Sequence, residues 1–486
     1  MPTYRPSFTL LVVLVVSTLP AFAQFSVLHN FSGPDGASPT GLIQDGAFFY
    51  GAGANGGDTT NCSPDGCGVI FKSDTSGKIT LLHIFHATDG YVPTGLVKGS
   101  DGNFYGTTMA GGHPSGGGPG TIFRIDGSGN FQTLYAFTGG FACCDGAAPT
   151  GQLIQADDGN IYGTTAGGGA FRDIHHQGGF GTVFRFDPTD ATVTILHSFN
   201  FDGDGFYPNG PLVQGTDGFL YGTTTEGSGP NRDGPGTAFR IDSCGNFKVV
   251  AVLAGQPQAG LIQGSDGNLY GTNQGLGGSV FRVDTNGNFA FVNKFEGGDG
   301  YNPHFRVTQG SDSFLYGTAP QGGLLDFQGG DIFRLSLGGT LTVLHSFTTT
   351  GSEGFSPNSQ LIQGADGALY GTTGIGGPNR RGAIFRFDQR VPGPIASVSV
   401  NPAIVIAGQT SKGLVTLTSP APPGGLVVML SAQTGQIVIP AKITVREGFK
   451  KKAFRIKTLN IGASVTLHIY ASSGGQGVRT SITVTP

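Results

Sequence analysis

The side chains best suited to chemistry stand in the irregular segments of this sequence. Arg172-Asp-Ile-His-His176 sets two imidazoles beside the Asp173 carboxylate, and His113 stands in a comparable segment upstream. Imidazole and carboxylate are ordinary transition-metal ligands. Adjacent side chains on an extended segment point apart, so His175 and His176 need ligands from another loop to share one centre. The simpler expectation is a solvated loop and no metal. Asp202-Gly-Asp204-Gly205 has the opening of a calcium loop but lacks the Glu that would complete it. Calcium at Asp202 and Asp204 is therefore a weak candidate, and no cofactor is expected. Glu226 and Arg232 share another irregular segment, and Tyr207 and Tyr301 offer flat faces for a sugar to stack on. G-x-S-x-G, H-E-x-x-H and phosphate-loop motifs are absent, so no catalytic residue is assigned. Cys62 and Cys67 bracket Ser-Pro-Asp-Gly and are expected to form a disulfide in an exported chain; Cys143, Cys144 and Cys244 stay unassigned.

A repeat positions these segments. Tyr-Gly recurs at Tyr50, Tyr105, Tyr162, Tyr221, Tyr270, Tyr316 and Tyr370, and each copy is followed by Phe and a basic residue, from Phe71-Lys72 to Phe385-Arg386. An L-x-x-F element separates the units, with weaker copies at 252–255 and 292–295. Each unit reads as four short strands, A to D, rich in aromatic and β-branched residues and bounded by Gly or Asp-Gly. In the second unit these are 95–98, 103–108, 120–125 and 131–137. No segment shows helical periodicity. Seven such units of about 53 residues predict a seven-bladed β-propeller over 24–390. Composition agrees: 87 Gly and 28 Pro in 486 residues favour a turn-rich chain, while 12% charged residues exclude charge-driven disorder. A net charge of −4 argues against a nucleic-acid binder.

The A–B and C–D turns are nearly constant in length and the B–C and D–A connections are not. In an up-and-down sheet the variable pair shares one face, so the candidate residues gather around one mouth of the central channel. The repeated Tyr is expected to pack between blades, and the basic residue after Phe to pair with a turn Asp. Residues 25–31 read as a lone D strand and the last unit lacks one, so the N-terminal strand is expected to close blade 7. Residues 1–23 read as a signal peptide with Ala21-Phe22-Ala23 at its end, too short in its apolar run to span a bilayer. No later segment reads as transmembrane. Val391-Pro-Gly-Pro394 is a linker by composition, and 395–486 read as an Ig-like β-sandwich of about seven strands. Charge changes there: 17 basic and 30 acidic residues in 24–393, against 9 and 1 afterwards. The basic run 450–457 is expected to form a solvated sheet face, with an anionic wall polymer or the acidic propeller as the alternative partner.

The recurring D-G-x-x-Y-G-T-T, G-T-x-F-R-x-D and L-H-x-F elements, as at 101–108, 120–126 and 196–199, resemble the secreted bacterial choice-of-anchor tandem-repeat "GloVer" proteins. The resemblance implies export and a repeat scaffold and carries no agreed activity; the tail resembles Ig-like modules of extracellular bacterial proteins. The expected function is an exported, non-enzymatic propeller, monomeric, at or beyond the cell surface, that binds a surface polysaccharide or protein. The alternatives are a secreted lyase or hydrolase acting on a polysaccharide at the same face, and a purely structural surface protein.

Overall fold

Runs of aromatic and β-branched residues stopped every few positions by Gly or Asp-Gly leave no length for a helix. The computed structural model describes residues 25–486 other than 61, 63, 140–144, 172–177, 201–202, 228–233, 276, 298, 324–327, 351, 390–394, 423, 433–434 and 474–475. The leader 1–23 and the segment 391–394 thus lie outside the described residues. Within them every regular element is a strand, and no helix is long and apolar enough to cross a membrane.

Seven antiparallel sheets repeat one order, A-B-C-D. In unit 2 the strands are Tyr91–Lys98, Phe104–Ala110, Thr121–Ile125 and Phe131–Ala136. Unit 7 takes its D strand from the far end of the chain: Phe25–Asn30 pairs with Ala383–Phe387. Phe25 also stacks on His345 of unit 6, with ring centroids 4.1 Å apart. The A strands differ from the expected four residues or more. They shrink to Val213–Gln214, Ile262–Gln263 and Thr308–Gln309 in units 4 to 6 and are split in units 3 and 7. Pro208, Pro257 and Pro303 precede the short ones, whereas Pro39 and Pro93 at the same place lie inside the long A strands of units 1 and 2.

Neighbouring sheets share apolar cores. Tyr50 of unit 1 stacks on Phe104 of unit 2 at 4.2 Å, Tyr270 of unit 5 packs with Leu315 and Phe333 of unit 6, and Tyr370 of unit 7 packs on Phe49 of unit 1 at 4.3 Å. The Gly after each Tyr makes room for the Phe of strand C: a Cβ on Gly371 would stand 2.6 Å from Phe385 Cζ. One expectation needs correcting. The turn Asp takes the Tyr hydroxyl four residues on, as in Tyr270 to Asp266 at 2.7 Å and Tyr162 to Asp158 at 2.7 Å. Of the basic residues that follow Phe, Arg386 pairs with a turn Asp as expected, with Nη2 2.8 Å from Asp366. Lys72, Arg240 and Arg334 lie over Phe48, Phe219 and Phe314 instead. The Asp–Tyr spacing of four brings the hydroxyl across the tight turn, so the carboxylate is already satisfied. Burial alone would raise the Asp266 carboxyl, but hydrogen bonds from the Tyr270 and Asn268 side chains and the Asn268 amide outweigh it and hold the group below its ordinary value.

A second set of ties circles the A–B turns. The Gln ending each A strand accepts a backbone N–H from the preceding unit: Gln155 from Ser100 at 2.7 Å, Gln214 from Asp157 at 3.0 Å, Gln263 from Thr216 at 2.8 Å, Gln309 from Ser265 at 2.7 Å, Gln363 from Ser311 at 3.1 Å. The last seam returns to the start, with Gln44 accepting from Ala365 at 2.9 Å. Between units 1 and 2, Lys98 stands where the others carry Gln, and its Nζ lies 2.6 Å from Asp45 Oδ1. The sheets therefore close on themselves in a β-propeller-like arrangement.

Residues 395–485 form one separate four-stranded sheet and five strands that extend the sheet of unit 6, together enclosing a core that includes Val415, Val428, Ile456, Ile469 and Ile482. Strand Gln476–Thr485 pairs at Gly477 with Val343, on the outer D strand of unit 6. A repeated clamp explains the landing place. In units 1, 3 and 7 the L-x-x-F element supplies His83, His197 and His29, whose Nε2 lies 2.8–3.0 Å from Asp89, Asp204 and Asp35 in the following connection. Unit 2 substitutes Tyr135, which donates to Asp145 at 2.9 Å. Unit 5 has the smaller Asn293 there, and Arg479 of the C-terminal unit enters the space. It pairs with Asp299 and donates to Asn293 Oδ1 at 3.1 Å, while His468 pairs with Glu296 at 2.7 Å. The basic run is not the docking element: Lys451, Arg455 and Lys457 on strand Lys451–Thr458 are exposed.

Candidate functional site

At the end of the ring that carries the B–C and D–A connections, each unit approaches the axis with a segment opened by Pro: Pro39, Pro93, Pro149, Pro208, Pro257, Pro303 and Pro357. In units 1, 2, 3 and 7 this Pro pairs with strand B, as Pro39 with Gly53 and Pro93 with Thr108, and in units 1 and 2 the register shifts just after it. The residue after each Pro lines one cavity: Thr40, Thr94, Thr150, Asn209, Gln258, His304 and Asn358, one from every unit. The cavity holds about 310 Å³ and is lined also by Met109, at the B–C end of strand Phe104–Ala110. That volume is at the lower end of small-molecule sites, where a few fixed polar groups set orientation.

The lining is held by bonds across and within units. Asn209 donates to Thr225 Oγ1 at 3.0 Å, Asn358 accepts from Thr372 Oγ1 at 3.0 Å, and Thr94 and Thr107 share a hydroxyl bond of 2.6 Å. Gln152 donates to the Leu96 carbonyl and Gln360 to Thr308 Oγ1 at 3.1 Å, each across a seam. Arg306 Nη2 donates to the Leu261 carbonyl at 2.6 Å, while its buried Nε finds no acceptor. Burial pulls the Arg306 guanidinium down to about 10, so it stays charged at neutral pH. Burial also lowers the His304 imidazole, opposed only by its contact with the Asn302 carbonyl, and keeps it neutral there. Among the described lining residues there is no carboxylate. The site therefore offers hydroxyls, amides and one positive charge: it can orient a polar ligand.

Of the residues singled out by sequence, none of those that are described lines this cavity. Asp173, His175, His176, Arg232 and Asp202 lie outside the described residues, as do Cys143 and Cys144. His113 is exposed and bonded within its own loop, its Nδ1 2.7 Å from Ser115 Oγ. Tyr207 packs against Phe206 and donates its amide to Phe180, and Tyr301 bridges to Gln321 in the backbone. Glu226 is partly buried, its Oε1 3.4 Å from Gln256. Asp204 is a clamp residue, bonded to His197 at 2.8 Å and to the Asn200 amide at 3.2 Å. Among the described residues no group of three or more His, Cys, Asp or Glu could hold a metal. Cys62 and Cys67 are bonded, with Cα atoms 5.1 Å apart, and Cys244 is an exposed free thiol. Sequence reasoning missed the lining set because its side chains differ from unit to unit. The signal that could have found it is the Pro recurring five or six residues ahead of the Gln or Lys at the A–B turn of each unit.

The Gloeobacter/Verrucomicrobia repeat matches three overlapping spans, residues 14–140, 57–274 and 252–400, and the chain belongs to that family. No curated protein matches the sequence. Among solved structures, a protein of unknown function from Dyadobacter fermentans is 12% identical over 75% of this chain and 98% of its own, with a TM-score of 0.40. The WD40 β-propeller domain of Doa1 is 10% identical over 75% and 98%, with a TM-score of 0.46. A quinoprotein alcohol dehydrogenase-like protein from Bacteroides thetaiotaomicron is 15% identical over 63% and 64%, with a TM-score of 0.40.

Proposed function

We propose that this Gloeobacter/Verrucomicrobia-repeat protein is an exported, non-enzymatic binding propeller of seven blades. Residues 395–486 are its Ig-like module, and the loop-bearing mouth recognises a surface polysaccharide or protein. The observation that carries this reading is the convergence of one polar side chain from every unit on a single axial cavity. Closing a ring needs none of them to be polar, since the seams are already held by the Gln ties and the shared cores. A rigid scaffold presenting variable polar groups at one mouth is what recognition requires and what a spacer does not. Hydroxyls and amides with a single cation suit binding and orientation better than bond cleavage, which calls for a nucleophile or an acid–base pair.

The test is a panel of bacterial and plant polysaccharides probed with the mature chain, the variant Asn209→Ala and the double variant Asn209→Ala/Asn358→Ala. Retention of one polymer class without release of reducing ends or unsaturated products, weakened in the variants, is the expected result. Turnover of the retained polymer would replace this reading with that of a lyase or hydrolase. Failure to bind any polymer or surface protein would leave a structural role.

A further inference from the structure

Arg306 is out of keeping with its repeat. The same position, just before the apolar residue that opens strand A, carries Gly41, Gly95, Gln152, Pro211, Gly260 and Gln360 in the other units. Gln152 and Arg306 do the same structural work: each donates across a seam to the equivalent carbonyl of the preceding unit, Leu96 or Leu261. A neutral amide is therefore enough for the scaffold. Arginine adds a full charge and further donors, one of which, Nε, is buried without an acceptor. Arg306 is half-buried on the cavity wall, and the lining offers its charge no carboxylate. The charge therefore faces the cavity open to an anion that enters it.

The surroundings narrow what it can be. His304, in the same wall, is kept neutral by burial, so the cavity holds one positive charge. The rest of the repeat region is acidic, with 30 acidic against 17 basic residues over 24–393, and repels a densely charged polyanion. A single carboxylate matches a single guanidinium in charge and in the geometry of its fork. The other lining groups are amides and hydroxyls, partners for neutral hydroxyls rather than for more charge. The volume of about 310 Å³ suits one or two sugar rings.

We propose that the axial cavity binds a sugar acid of the uronate class, with Arg306 taking its carboxylate and the ring of amides and hydroxyls taking its hydroxyl groups. This rests on the mouth being the recognition face and adds the ligand chemistry.

The experiment is titration calorimetry of the mature chain with D-glucuronate, D-galacturonate, methyl D-galacturonate ester, glucose and inorganic phosphate. The variants are Arg306→Gln, which keeps the seam bond as Gln152 does, and Arg306→Lys, which keeps the charge. A uronate is expected to bind, with affinity falling about tenfold or more for its methyl ester and for Arg306→Gln, and less for Arg306→Lys. The proposal is overturned if ester and acid bind alike, if phosphate binds more tightly than either uronate, if Arg306→Gln binds uronate as the wild type does, or if the folded wild type binds no uronate. The ester comparison needs no variant, so it stands even if Arg306→Gln fails to fold. The polymer panel separates the two readings. Polymer retention indifferent to Arg306→Gln sinks the uronate assignment and leaves the binding propeller. Arg306-dependent uronate binding without polymer retention does the reverse.

Discussion

Arg479→Ala should uncouple the C-terminal unit from the ring. Asp299 is fully buried in the docked state. Its Oδ1 accepts the Glu296 amide at 2.8 Å and its Oδ2 faces Arg479. Removing the guanidinium strands a charged oxygen away from water and drops the bond to Asn293 as well. Two unit charges in contact at an effective dielectric near 20 interact by about 4 kcal/mol, and breaking one partner of a buried pair costs about 3–5 kcal/mol. That would shift docking by about a thousandfold. The expected readout is a wild type that melts with its C-terminal unit coupled to the ring, and a variant with two separate transitions and faster proteolysis between the units. The pH dependence adds a sign. Burial raises the Asp299 carboxyl despite the pull of Arg479 and the Glu296 amide, so docking is favoured at low pH and weakens as pH rises through the raised value. Without Arg479 that window moves higher, and acidification of the variant should restore part of the docking. Adding Asp299→Asn should recover stability for the same reason. A loss under about 1 kcal/mol, as for an exposed pair, or undocking indifferent to pH would refute the argument.

Gly371→Ala places a Cβ 2.6 Å from Phe385 Cζ and should lower stability by about 1–3 kcal/mol in urea unfolding. Deleting residues 25–30 bares the edge of strand Ala383–Phe387, and size-exclusion chromatography with light scattering should show aggregation in place of one soluble species. Tyr270→Phe removes a donor to the ionised Asp266 and should cost about 1 kcal/mol at neutral pH. Because that carboxyl is held below its ordinary value of 3.8, the gap between variant and wild type should close as pH falls through and below that value.

What could be read from sequence was whatever repeats. Strands B and C are legible because Tyr-Gly and Phe-basic recur with the same neighbours, and 25–31 reads as a D strand because V-L-H-N-F copies the element ending the other units. The turn partner was read only in part: Asp366 takes both the expected Arg386 and the Tyr370 hydroxyl, and spacing alone does not rank two donors. The cavity was missed because recognition positions vary by nature: Thr40, Asn209 and His304 share a place but no chemistry. The docking notch was visible only as a weak L-x-x-F copy at 292–295. Its meaning depends on Arg479, which lies 186 residues beyond Asn293, in the part of the chain without the repeat.

That notch breaks a sevenfold likeness. Of the D-strand clamps, those filled by His or Tyr are already occupied, and unit 4, with Ala251, carries no acid to receive a cation. The tail therefore has one berth rather than seven, and the mouth keeps a set compass bearing relative to whatever holds the tail. A swap of Asn293 for His, with Ala251 rebuilt as an Asn-and-Asp pocket, would be a way to turn the disc by one-seventh and ask whether heading matters.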